Sequence, residues 1–201
     1  MSEFQQLEKQ LGQFKPWQLT AFSAALTERM LPNFTLFSRL LEFGDAVQIR
    51  RILDGVWESL SGGASMNFEV QLDHVEDNMP SLDEFDMYGA MPALDAVVAL
   101  YSTLVCILEQ DPSEAANIAD LSRECVATFI EVNQADPQLS DAELMRFIST
   151  HELMQDEDAF QEEVIERLRS QDQPNRQFIQ SLKSLAVNEG VSNLGISDSE
   201  E

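Results

Sequence analysis

Seven side chains carry the groups that could cooperate chemically: Glu28, Arg29, Arg50, Asp54, Asp86, Tyr88 and Asp95. Two of them sit where a charge is out of place. On a helical wheel, Arg29 falls inside an apolar face made by Leu19, Phe22, Ala25 and Leu26. Asp95 is the single charge in the apolar stretch from Ala90 to Leu108. A guanidinium on such a face must reach water or meet a carboxylate. The expected partner of Arg29 is therefore Asp95, with Asp54, Glu58 or Asp86 as alternatives. Asp95 lies in a first helical turn, where free amides and the helix dipole favour a carboxylate. Two chemistries are open to the pair. It could be a buried ion pair that fixes how two helices pack. It could instead line a pocket, with Arg29 binding an anion and Asp95 or Glu28 serving as acid or base.

Other chemistries find little support. His74 and His151 are the only histidines, and neither has the glutamate three residues earlier that a helical di-iron site needs. The loop Asp83 to Gly89 lacks the alternating ligands and distal glutamate of a calcium loop. His151-Glu152 lacks the second histidine of a zinc protease helix. The sequence has no Gly-x-Ser-x-Gly elbow, phosphate-binding glycine loop or dinucleotide fingerprint. No metal or cofactor is expected. Cys106 and Cys125 are not a Cys-x-x-Cys pair, and neither has a base or cation close in sequence. They are expected as reduced, buried thiols, as is usual in the cytosol.

The elements that must position these groups read as helices. Ser2 precedes Gln5, and Ser140 precedes Glu143, at capping-box spacing, as Ser81 does Glu84. Asp111-Pro112 and Pro16 and Pro174 read as helix starts, and Gly44-Asp45 as the end of one helix and the cap of the next. The cleanest face belongs to Ile49, Ile52, Leu53, Val56, Trp57 and Leu60, with Arg50 at its edge, four residues before Asp54. That spacing allows a surface pair worth about 0.2–0.5 kcal/mol. The pattern predicts about nine helices, over 3–12, 16–31, 33–42, 45–61, 66–78, 91–109, 112–134, 141–170 (broken near His151) and 174–189. Residues 79–91 read as irregular, with at most a short turn. The fold class is all-α: one compact domain over residues 1–196, built around the apolar helix at 91–109, with an acidic mobile tail at 197–201.

Composition narrows the partners. The 201 residues carry 36 Asp and Glu against 12 Lys and Arg, a formal charge of −24. Between Ile52 and Ser122 there are 14 acidic residues and no Lys or Arg. Phosphate backbones and anionic membrane surfaces need cations, so neither nucleic acid nor membrane is an expected partner. The N-terminus lacks the basic start and apolar core of a secretory signal. A soluble cytoplasmic protein is expected. An acidic surface that recognises a basic partner is the sharper reading of the same charge.

A set of short blocks occurs in order: Trp17-Gln18, Glu28-Arg29-Met30, Pro32-Asn33, Phe43-Gly44-Asp45, Arg50 to Asp54 with Trp57-Glu58, Asp86 to Gly89, Pro92-Ala93, Asp95-Ala96 and Ser192 to Ile196. With these blocks the sequence resembles the uncharacterised bacterial YjaG family, from about residue 16 to 196. The resemblance implies a small, soluble, cytoplasmic, all-helical domain and assigns no functional residue. Asp156-Glu157-Asp158 is outside these blocks. The expected function is a non-enzymatic binding or scaffold module with an unknown protein or small-molecule partner, with a homodimer through exposed apolar helix surface left open. The alternative is a small-ligand binder or enzyme using the Arg/carboxylate cluster. An active pocket would gather those residues in one solvent-connected place; a packing network would leave them sealed and satisfied.

Overall fold

Four helices begin on the side-chain caps expected of them. The computed structural model describes residues 1–198. Ser2 and Gln5 form a reciprocal capping box at the start of α1 (Glu3–Leu11), and Ser140 and Glu143 do so for α7 (Asp141–Thr150). Asp45 caps α3 (Ala46–Leu60), and Asp111 with Pro112 starts α6 (Pro112–Asn133). The remaining helices are α2 (Pro16–Leu41), α4 (Phe68–Glu76), α5 (Ala90–Glu109), α8 (Glu152–Arg169) and α9 (Arg176–Val187), followed by a 3-10 turn at Asn188–Gly190. Nine α-helices and no strand occur among the described residues, in one all-helical domain. Residues 81–84 form a turn and no helix, and α9 is capped by Asn175, so Pro174 lies before the helix rather than in it.

The expected break at Pro32 is absent. Residues 16–41 form one helix that runs through the proline. A proline inside a helix removes one backbone bond and crowds the preceding turn, at a cost of about 3 kcal/mol. Packing offsets it here. Seventeen residues of α2 are buried, and the Asn193 amide donates to the Arg29 carbonyl at 3.1 Å, beside the disturbed turn. The break near His151 is present. His151 is extended, and its Nδ1 accepts from the Leu153 amide at 3.2 Å, capping α8.

The centre also shifts. The sequence places α5 at the core, yet α2 is the hub and packs against α3, α5, α6, α8 and α9. Ala21, Ala24 and Ala25 of α2 and Ala93, Ala96 and Ala99 of α5 are fully buried, so these two helices can approach closely. Where they meet, the Thr27 and Thr103 hydroxyls share a hydrogen bond of 2.9 Å. α5 is long and apolar enough to cross a membrane, but half of its most apolar window is covered by the fold. Ser197 bridges Val191, and Asp198 pairs with Arg39 at 2.7 Å, so the first two residues of the expected tail are held by contacts. The rest of that tail, 199–201, lies outside the described residues.

Candidate functional site

The seven sequence candidates do not share one site. Glu28, Arg50 and Asp54 come together where α2, α3 and α9 meet. Glu28 is only 3% exposed, because α2 turns this position toward α3. Arg50 grips it with both terminal nitrogens, at 2.6 and 2.9 Å, and Trp57 Nε1 donates to it at 3.2 Å. Arg50 also donates to Asp54 at 2.8 Å, and Lys183 of α9 reaches the same Asp54 oxygen at 2.9 Å. Burial pulls the Arg50 pKa down, but the Glu28 bond and charge, followed by Asp54, outweigh it and raise the net value. Burial pushes Asp54 up, and the Lys183 bond and the charge of Arg50 overcome it, so its pKa falls. Each charge here meets an opposite one, although the buried Arg50 Nε has no hydrogen-bond partner. The result is a ladder of charges that ties three helices together.

Asp95 and Tyr88 form a second group, with Cys125 of α6. Burial drives the Asp95 carboxyl up to about 6, although the bond with the Cys125 thiol works against that rise. Burial and then the Asp95 charge hold the Cys125 thiol well above its ordinary value, so it is not a thiolate nucleophile. Burial, then Cys125 and Asp95, likewise keeps the Tyr88 phenol protonated. Cys106 is buried and pushed up to about 11 by that burial. Asp86 is exposed in the loop before α5.

The proposed Arg29–Asp95 pair does not form, and neither do the alternatives with Asp54, Glu58 or Asp86. Arg29 is half-buried and faces α8, with its guanidinium carbon 4.4 Å from the Phe160 ring centroid. Burial lowers its pKa, and the charges of Glu157 and Asp156 partly restore it. The physical reason is that α2 is covered on several sides. A single-face wheel shows that Arg29 points inward but not which helix it meets. Asp95 lies on the side of α5 that meets α6.

Sequence reasoning missed Glu157, which is 1% exposed and accepts from Gln161 Nε2 at 2.8 Å. Burial raises its pKa. A signal for it was available. Met154, Glu157, Gln161, Val164 and Leu168 recur at spacings of three and four, so Glu157 holds an inward position on α8. Asn33 and Asn193 were noted only as parts of blocks, yet both are buried and bonded to each other. Among the described residues, no group of three or more His, Cys, Asp and Glu is arranged to hold a metal ion.

A cleft of about 190 Å³ opens beside this asparagine pair, between the C-terminal half of α2, Met87-Tyr88-Gly89, α5 and α6. Leu36, Phe37, Leu40, Met87, Tyr88 and Phe129 give it an apolar wall, and Asn33 also lines it. The Tyr88 and Phe129 rings lie 6.1 Å apart. Leu40 and Met87 are 62% and 40% exposed at its edge. The asparagine orientations follow from the network. Asn193 Nδ2 donates to the Ser122 carbonyl at 3.5 Å, an atom that can only accept, and to the Ser122 hydroxyl at 3.1 Å, so Asn193 Oδ1 is left to accept. Asn33 Nδ2 fills that role at 3.0 Å, and Asn33 Oδ1, on a side chain only 4% exposed, has no partner.

The fold and site define an all-helical domain whose charged residues brace helix junctions, with an apolar cleft left open beside the hub helix. The family profile described as "Protein of unknown function (DUF416)" matches residues 6–197. The chain belongs to this family. It is 35% identical to the "Uncharacterized protein YjaG" of Escherichia coli K12 over 189 residues, which is 92% of this chain and 93% of that one. An "Uncharacterized protein" of Haemophilus influenzae is 33% identical over 193 residues, covering 94% and 96% of the two chains. The crystal structure of a DUF416 family protein from Shewanella baltica superposes with a TM-score of 0.86 at 34% identity, covering 98% of this chain and 99% of the other.

Proposed function

We propose that this protein is a non-enzymatic binding module, cytoplasmic in location, and that the cleft beside Asn33 is its receptor for a small molecule. The observation that carries the reading is the cleft itself, an apolar hollow of about 190 Å³ with Leu40 and Met87 exposed at its edge. The scatter of the seven candidates supports the same reading against the enzyme alternative. Glu28, Arg50 and Asp54 pair their charges with one another, and Arg29 and Asp95 sit in separate interfaces. Two buried, protonated thiols agree with a reducing compartment.

The test is ligand-observed and methyl-detected NMR of the full chain with toluene, which probes shape alone. Saturable binding that moves the methyl signals of Leu36, Leu40 and Met87 is the expected result. It should persist in Arg50→Lys and disappear in Leu36→Trp, which fills the cleft. Absence of saturable binding up to the solubility limit would overturn the proposal. So would self-association that perturbs the same methyls, because a second copy would then be the occupant.

A further inference from the structure

A second cleft, separate from the one beside Asn33, lies between α1, α6 and α8 and measures about 550 Å³. We propose that it binds an aliphatic diammonium ion, with one ammonium held by Gln161 Oε1 and the other by the Asp120 and Glu162 carboxylates. The volume suits a small molecule, since ligand pockets commonly span about 300–1,000 Å³. Four carboxylates, Glu3, Asp120, Asp158 and Glu162, line the cleft together with one cation, Arg123. Arg123 is already engaged, by Asp158 at 2.8 Å and Glu3 at 3.3 Å. Asp120 and Glu162 are exposed and pair with no cation among the described residues.

Acidic residues alone make only a solvated surface. Gln161 supplies the independent observation. Its Nε2 donates to the Ala119 carbonyl at 3.0 Å, an atom that can only accept, so the orientation of the amide is fixed. The same nitrogen donates to Glu157 at 2.8 Å. Gln161 Oε1 is left without a partner among the described residues, and it is open to solvent rather than sealed. The residue is only 7% exposed and lines the cleft, so this open oxygen faces into it. Asp120 and Glu162 are the chain neighbours of Ala119 and Gln161, the two ends of the bond that holds the amide.

The unpaired groups are therefore all acceptors, one neutral and two charged. A guest that satisfies them must donate and carry positive charge, as an ammonium does with its three donors. An anion would meet an arginine that two carboxylates already hold. A metal ion fits poorly, because no three of these acids are gathered as ligands among the described residues. Phe4, Leu7 and Ala119 give the cleft an apolar strip as well. Methylenes can lie along such a strip while their charged ends stay at polar groups. An alkyl chain with an ammonium at each end matches both parts of the lining.

Putrescine, butylamine, butanediol and magnesium ion test this, titrated into the full chain by calorimetry and methyl-detected NMR at physiological salt, where remote charges are screened. Putrescine is expected to bind at one site and to move the methyl signals of Leu7 and Ala119, with butylamine weaker and butanediol not binding. The double variant Asp120→Asn, Glu162→Gln should weaken putrescine about tenfold, the upper range for two partly exposed ion pairs. Gln161→Met keeps the charge, removes the acceptor and should also cost about tenfold, the worth of one hydrogen bond to a charged group. If it fails to fold, the double variant decides, since both its side chains are exposed. Glu69→Gln on α4 removes a charge away from the cleft and should leave affinity within about twofold. Equal weakening by Glu69→Gln would mean diffuse attraction to the acidic surface and overturn the site. Butylamine binding as tightly as putrescine would overturn the two-ended ligand. Magnesium moving the same methyls at lower concentration, or a tetralysine peptide doing so, would overturn the diammonium assignment. No saturable binding of putrescine would overturn the proposal and leave the cleft beside Asn33 untouched.

Discussion

Removing the Arg50 side chain would leave the Glu28 carboxylate buried with only Trp57 Nε1 to answer it. Deleting one partner of a buried pair costs about 3–5 kcal/mol. The Arg50 head is about a third exposed, so Arg50→Ala should cost about 3 kcal/mol, the lower end of that range. Asp54 is half exposed, and Asp54→Ala should cost less than about 1 kcal/mol. Urea denaturation of the two variants checks the ordering, and equal losses would show that Glu28 is not the residue that matters. Asp95 makes a prediction of opposite sign. Its carboxyl rises from 3.8 to about 6 in the fold, so the folded state holds the proton more tightly than the unfolded chain. Its contribution therefore favours folding below about pH 4 and is lost as the pH rises to about 6 and beyond. Asp95→Asn should stabilise the protein at pH 8, by at most about 3 kcal/mol, and have little effect at pH 4. Urea midpoints at the two pH values give the answer, and a gain independent of pH would rule out the buried-charge explanation.

Four helix starts were legible because a cap needs only local partners. Ser2, Asp45, Asp111 and Ser140 each bond an amide two or three residues on, which sequence spacing records directly. Pro32 misleads for the complementary reason. What carries α2 past it is burial and the contact from Asn193, 160 residues beyond Asn33. The turn between α2 and α3 combines both kinds of cause. Gly44 has φ +69°, which glycine tolerates locally, but a Cβ there would also lie 2.8 Å from Asn78 Oδ1. That oxygen accepts from the Asp45 amide, while Asn78 Nδ2 holds Gln48 and the His74 carbonyl. Gly44→Ala should cost about 1–3 kcal/mol from backbone strain alone, with more from displacing Asn78. Gly62 supplies the control, since it has φ +80° with nothing within 4 Å of a new Cβ. Thermal unfolding of both alanine variants separates strain from clash, and equal losses would show that Asn78 gives way freely.

Among the nine helices of the described residues, α2 and α5 form a central pair whose small residues let them lie close. Helical periodicity, caps and an uninterrupted acidic stretch were enough to determine the class of fold, the inward faces and the charge of the surface. These properties depend on neighbours within a few residues or on simple sums. Which inward residues meet was decided by the tertiary structure. Arg29 and Asp95 were each correctly read as turned inward, and each found a different helix, because a helix covered on several sides offers several partners at one angle. The Glu28–Arg50 clamp joins positions 22 residues apart, and the asparagine relay joins positions 160 apart. The unpaired oxygen at the end of that relay exists only once α2, α6 and the C-terminal segment have docked, since a hydrogen-bond donor is missing there for reasons of geometry rather than of composition.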